Sequence, residues 1–186
     1  MALTAGSIAP DFKTNDQDGN EVNLSSLKGK KVVLYFYPKD MTPGCTAEAC
    51  SLRDHYKALQ KAGYEVFGIS SDDEKSHRKF IEKEKLPFRL LADTDKTVHG
   101  KYGTWVEKSM YGRKYMGTAR VTFIIDENGI IRKVIEKVDT KNHADQILGG
   151  APAKESAKPK PVKKVAVQPA KKVVKKVAKK AVKKKN

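Results

Sequence analysis

Cysteine is scarce in this chain: two among 186 residues, Cys45 and Cys50. So few thiols exclude a small disulfide-stapled scaffold, which depends on several bridges. C-x4-C without a second CxxC or an HxxxH is not a zinc pattern, and His55, His77, His99 and His143 are scattered along the chain. Each histidine reads as a surface or structural residue. His55 follows Cys45 by ten helical positions, roughly 15 Å along an axis, which rules out a Cys–His dyad. Long apolar runs are missing too. No stretch of about 18 apolar residues could span a bilayer, and "MALTAGSIAPDF" lacks the basic segment and apolar run of a signal peptide. A soluble cytoplasmic chain is the expectation. In a reducing compartment a pair of cysteines is more often catalytic, redox-sensing or metal-binding than a permanent staple, although inert core cysteines are the plain alternative.

Acidic and aromatic residues are missing from the end of the chain. Residues 151–186 hold 14 lysines, one glutamate and no aromatic side chain, a local charge of +13 out of the whole chain's +16. Such a segment cannot bury enough apolar surface to offset its chain entropy, so a disordered tail is predicted over 151–186 beside a nearly neutral body over 1–150. Small apolar residues recur every four positions in "KKVVKKVAKKAVKKK", which fits a lysine-flanked helix once a polyanion neutralises it. Lysine pairs among Ala, Val and Pro suit non-specific DNA or RNA phosphate contacts, and with them association with a nucleoid or chromatin. A solvated charge run is the plain alternative. Membrane adhesion is disfavoured by the small apolar face and missing aromatic anchors.

The body alternates strand and helix signals. "KKVVLYFYP" and "YEVFGIS" are strands, "TAEACSLRDHYKALQKAG" a helix stopped by Gly63, and "DEKSHRKFIEKEKL" a helix capped by Ser71 or Asp72 with Phe80 and Ile81 inward. A short strand "FRLLAD" and a short helix "TDKTVHGKYG" follow. "RVTFIID" and "IIRKVIEKV" pair around Asn128-Gly129, and "NHADQIL" closes the body as a helix. Residues 3–12 and "NEVNLSSLKG" are expected to form a front hairpin, and "MYGRKYMG" a loop near the site. The fold class is α/β, thioredoxin-like: a central mixed sheet flanked by helices, parallel in its first half and antiparallel at its end.

"YPKDMTPGCTAEAC" carries the chemistry. A free thiol is mostly protonated at neutral pH, and the thiolate is the nucleophile. Cys45 lies where strand yields to helix, so first-turn N–H groups and the positive end of the helix dipole can face its sulfur. Pro38 fixes the strand exit, Gly44 permits close backbone approach, and Thr42 places a hydroxyl three residues before the sulfur. Cys50 lies roughly 7.5 Å and about 140° further round the same helix, whereas a disulfide needs Cα atoms within about 7 Å. The sulfurs cannot join until the first turns unwind. A cycle follows: Cys45 becomes a sulfenic acid, the turn melts, Cys50 attacks, and an external dithiol reduces the bridge.

Together, "FYPKDMTPGCTAEACSLRD", "APDF", "LLADTDKTVHGKYG" and "VEKSMYGRKYMGTARVTFIIDENG" resemble the peroxiredoxins, in particular the bacterioferritin comigratory protein or peroxiredoxin Q group, over about residues 4–149. The resemblance implies that Cys45 is the peroxidatic cysteine, Cys50 its resolving partner, Thr42 and Pro38 parts of the Pro-x3-Thr-x2-Cys motif, and Arg120 the cation contacting sulfur and peroxide. It also implies a hydroperoxide substrate, thioredoxin as reductant, and no metal, flavin or haem. Glu48 is read either as orienting Arg120 or as a solvated helix-start charge. A monomer is expected. The rival readings are a redox-sensing nucleic-acid-binding protein and a thiol–disulfide oxidoreductase, the latter lacking its C-x-x-C.

Overall fold

The structure, a computed structural model, describes residues 3–110 and 112–149. The expected boundary at 150 and the tail over 151–186 lie outside them.

A seven-stranded sheet forms the middle. In chain order its strands are β1 (Lys13–Asp16), β2 (Glu21–Asn23), β3 (Lys31–Phe36), β4 (Tyr64–Ser70), β5 (Arg89–Ala92), β8 (Val121–Ile125) and β9 (Ile131–Ile135), arranged β2-β1-β5-β4-β3-β8-β9. β3, β4 and β5 run parallel, while β8 pairs antiparallel with β3 and β9 antiparallel with β8. The expected mixed sheet, with parallel crossovers followed by an antiparallel end, is observed, and β1 adds an antiparallel pairing to β5 on the other side. The helices are α1 (Pro43–Asp54), α2 (Tyr56–Lys61), α3 (Glu74–Glu84), α4 (Thr97–Tyr102) and α5 (His143–Leu148).

β3 shows why both sheet faces are covered. Its side chains alternate with period two: Val32, Leu34 and Phe36 enter one core with Phe67, Ile69 and Phe123, whereas Val33, Tyr35 and the following Tyr37 enter the other with Leu52, Phe80 and Leu90. Cys45 and Ala49 of α1 belong to the second core. Each such Leu, Ile or Phe contributes about 1.5–3 kcal/mol by leaving water, so the start of α1 is anchored by packing as well as by hydrogen bonds.

Several expectations needed correction. The helix predicted over 46–63 starts earlier, with Thr42 at its N-cap and Pro43 first inside, and it breaks at His55. There the imidazole Nδ1 lies 3.0 Å from the Ser51 carbonyl, so the side chain shares the acceptor that the helix ladder uses. Asp73 caps α3, accepting from Ser76 N at 2.7 Å. Asp72 is diverted, since its carboxylate accepts from Asp40 N and the Ser70 hydroxyl. The front hairpin pairs β1 with β2 around a turn in which Asp16 Oδ1 accepts from Asp18 N and Asn20 N. Residues 6–9 lie instead beside the 129–131 stretch, with Gly6 N donating to Ile131 O and Ala9 N to Gly129 O, while Phe12 O accepts from Leu24 N. Of "MYGRKYMG", Tyr111 lies outside the described residues, Met110 ends β6 (Trp105–Met110) and residues 113–117 belong to β7 (Arg113–Thr118), the two strands forming a separate two-stranded sheet. Its lysines, methionines and glycine conceal the strand signal, which depends on cross-strand pairing more than on intrinsic preference.

Candidate active site

β3 delivers the chain to the site. After Tyr37, Pro38 is half-buried and Asp40 fully buried. The Asp40 carboxylate accepts from the Tyr37 hydroxyl and the Ser76 hydroxyl, each at 2.7 Å, and lies 2.9 Å from His77 Nδ1. Burial alone would raise its pKa, but the hydrogen bonds and charge of His77, with Tyr37 and Ser76, bring it below the ordinary range. This network ties the 37–42 loop to α3. Sequence reading missed it, because nothing in "YPKD" says that Asp40 will meet His77, 37 residues away.

Thr42 enters the helix with extended backbone, and its hydroxyl donates to the Lys39 carbonyl at 3.0 Å. The lone pairs of Oγ1 stay free to accept. Cys45 then occupies the third helical position of α1, buried, with the second core beneath it.

Arg120, immediately before β8, reaches across to this turn. Its Nη2 donates to Cys45 Sγ at 3.3 Å, and its Nη1 donates to Glu48 Oε2. Gly44 makes room: a Cβ there would lie 3.3 Å from Arg120 Nη2. Of the two readings of Glu48, the geometry selects the one in which it orients Arg120, for its side chain is wholly buried. Burial pushes the Glu48 carboxyl up to about 7, with the Arg120 charge and hydrogen bond acting in opposition. Its other oxygen, Oε1, has no hydrogen-bond partner and lies 3.7 Å from His143 Nε2. The guanidinium therefore sits between a buried carboxyl and a sulfur, its planar fork fixed by the first and aimed at the second.

Cys50 is placed apart. Half-buried on α1, it directs its thiol toward Glu84 Oε2 at 3.7 Å, and burial followed by the Glu84 carboxylate raises its pKa. Both cysteines are free thiols. The structure thus brings Cys45, Arg120 and Glu48 together, with Pro38 and Thr42 on the preceding loop, and keeps Cys50 in a different environment on the same helix.

The AhpC/TSA family matches residues 5–134. The chain belongs to that family. Peroxiredoxin Bcp of Escherichia coli K12 is 49% identical over 146 residues, which cover 78% of this chain and 94% of the relative. Among solved structures, peroxidoxin BcpB of Mycobacterium tuberculosis superposes with a TM-score of 0.70 at 36% identity, covering 80% of this chain and 96% of that one. The Xanthomonas campestris bacterioferritin comigratory protein gives a TM-score of 0.72 at 33% identity, covering 79% and 94%. The chain is a peroxiredoxin of the bacterioferritin comigratory protein and peroxiredoxin Q group, thioredoxin-like in fold, and a thiol peroxidase by that membership. No helix among the described residues is long and apolar enough to cross a membrane.

Proposed function

We propose that this peroxiredoxin is a thioredoxin-dependent, cytoplasmic, monomeric enzyme that reduces hydrogen peroxide and organic hydroperoxides through a Cys45 sulfenic acid and a Cys45–Cys50 disulfide. The observation carrying the proposal is the Arg120 Nη2 to Cys45 Sγ contact of 3.3 Å at the first turn of α1. There a thiolate meets a fixed cation and unpaired helix N–H groups together. The sulfur attacks the terminal peroxide oxygen, an S–O bond forms as the O–O bond breaks, and Arg120 faces the charge passing to the leaving oxygen. Thr42 Oγ1 accepts from the peroxide O–H, and Pro38 shields the sulfur. The Xanthomonas campestris bacterioferritin comigratory protein has alkyl peroxide reduction activity, which supports organic hydroperoxides as substrates here.

Resolution requires α1 to open. Cys50 is held as a thiol toward Glu84 and, by helix geometry, cannot reach Cys45 in the closed state. Local unfolding at a helix terminus costs far less than global unfolding, so sulfenic acid formation followed by melting of the first turns supplies the path. The test is a coupled assay with thioredoxin, its reductase, NADPH and peroxide. Sustained NADPH oxidation supports the proposal, and insulin reduction without peroxide consumption would replace it with a disulfide oxidoreductase.

A second reading is favoured by one observation, the +13 charge of residues 151–186. We infer that the tail tethers the enzyme to nucleic acid through phosphate contacts, so that binding weakens steeply with salt. Deleting 151–186 should abolish low-salt DNA binding and leave peroxide turnover intact. A redox-sensing nucleic-acid-binding protein would instead show slow turnover and a DNA affinity that changes on oxidation.

A further inference from the structure

Sheet β6–β7 carries a second cation toward the reactive sulfur. Along β6 the half-buried Val106 and Lys108 alternate with the exposed Glu107 and Ser109, so Lys108 lies on the inward face of its strand. The Lys108 stem passes over Gly117, where an added Cβ would lie 3.6 Å from its Cδ, and its Nζ donates to the Thr118 carbonyl at 2.5 Å. Thr118 is itself held. Its hydroxyl lies 2.9 Å from His99 Nε2, and His99 Nδ1 lies 2.5 Å from Asp93 Oδ2, all three side chains being buried. Two residues after Thr118 comes Arg120, whose guanidinium touches Cys45. A buried chain from Asp93 through His99 and Thr118 therefore fixes the carbonyl that anchors the Lys108 ammonium.

The charge reaches the site. Lys108 falls below the ordinary lysine range, by burial first and then by the like charge of Arg120, while Cys45 acts in the opposite direction. The carbonyl that holds the ammonium belongs to Thr118, two residues before the Arg120 whose guanidinium donates to the sulfur. Among the described residues Lys108 has no carboxylate partner, since the neighbouring Glu107 pairs with Lys114 at 3.1 Å. Two of its three N–H donors remain after the Thr118 bond.

We propose that Lys108 is a second fixed cation of this site, and that it raises reactivity toward peroxides carrying their own negative charge. The inference rests on the peroxidase reading above. A thiolate repels an anionic oxidant. One guanidinium, already paired with Glu48, only partly offsets that repulsion, and a second cation tethered two residues from Arg120 offsets more. With peroxymonosulfate the thiolate sulfur bonds to the terminal hydroxyl oxygen, the O–O bond breaks, and the electron pair leaves on sulfate. Sulfur is oxidised by two electrons to the sulfenic acid as the peroxide is reduced by two. With hydrogen peroxide the leaving hydroxide takes a solvent proton and becomes water.

The experiment uses the full reduced chain, with Cys45 oxidation by hydrogen peroxide and by peroxymonosulfate followed in parallel by rapid-quench mass spectrometry. Lys108→Met should slow oxidation by the anion about tenfold and by hydrogen peroxide much less. Lys108→Arg should restore the ratio, and Lys114→Met should leave both rates unchanged. Equal slowing by both oxidants would make Lys108 a merely structural residue, and no slowing by either would remove it from the site. Both outcomes overturn the inference while leaving the peroxidase intact. If Cys45 of the native chain reacts with hydrogen peroxide no faster than free cysteine, the peroxidase reading fails and takes the inference with it.

Discussion

Glu48 Oε1 lies 3.7 Å from His143 Nε2, with both side chains wholly buried and displaced from their ordinary titration ranges in opposite senses. Glu48 is raised from 4.5 to about 7 by burial against the pull of Arg120. His143 is lowered from 6.5 to about 4, by burial first, with the Arg120 charge adding to it and the Gln146 hydrogen bond opposing. The raised carboxyl contributes stability that is full below about 4.5 and lost as pH rises through about 7. The depressed imidazole contributes stability that is full above about 6.5 and lost as pH falls through about 4. Between about 4.5 and 6.5 the two slopes oppose each other.

Removing the imidazole should therefore uncover the carboxyl. In His143→Asn, stability relative to the native chain should climb as pH falls from about 6.5 to about 4.5, by up to about 3 kcal/mol. Urea unfolding of both proteins at matched pH measures the difference. A difference that does not change with pH would mean that His143 does not titrate in the way its burial demands.

Substitution of Gly44 should separate reactivity from stability. Alanine in the first turn of α1 favours the helix by up to about 1 kcal/mol over glycine. Its Cβ, however, would press on Arg120 Nη2 at 3.3 Å. Gly44→Ala should melt no lower than the native chain and yet react with peroxide several-fold more slowly. Arg120→Lys should lose more still, because an ammonium cannot hold Glu48 and face the sulfur with one planar fork. Unaltered oxidation rates in both variants would separate Arg120 from the chemistry.

The two cysteines should fail differently. Cys45→Ser should abolish peroxide consumption, since no other thiol can take its place beside Arg120. Cys50→Ser should still trap a sulfenic acid on Cys45, detectable with dimedone, but should not recycle with thioredoxin. Sustained thioredoxin-coupled turnover in Cys50→Ser would eliminate the intramolecular bridge.

Gly68 is the most tightly packed of the glycines among the described residues. A Cβ at this position of β4 would lie 2.6 Å from Leu90 Cδ2 and from the Tyr35 ring and hydroxyl, all in the fully buried second core. The neighbours have little freedom to retreat, so Gly68→Ala should destabilise by about 1–3 kcal/mol, measured by chemical unfolding. Tyr35 lies on the strand leading to the site, so its displacement should also slow Cys45 oxidation.

Local chemistry along the chain was legible where it repeats or punctuates. The apolar run of β3, the spacing of Ala49, Leu52, Tyr56 and Leu59, and the proline and glycine around Cys45 were enough to place a cysteine at a strand-to-helix junction, and the alternation of strand and helix signals was enough to give a mixed sheet. Signals failed where distant partners decide. Nothing near Asp72 or Asp73 tells which of them caps α3, because the choice depends on Asp40 and Ser70 claiming Asp72 first. The β6–β7 pair escaped notice because lysines, methionines and a glycine interrupt its β-forming residues and its order comes from the register with a facing strand.

By itself the sequence determined that two thiols five positions apart share one helix whose first turn can hold an anion, and that most of the excess charge, +13 of +16, lies in the last 36 residues. These are properties of neighbours along a chain, set by helix periodicity and composition. Family resemblance pointed to Arg120, but only the tertiary structure brings it to Cys45 across 75 positions, turns Glu48 inward to hold it, and tethers Lys108 to the Thr118 carbonyl two residues before Arg120. Burial and through-space charge depend on which strands lie side by side, and local spacing cannot encode that.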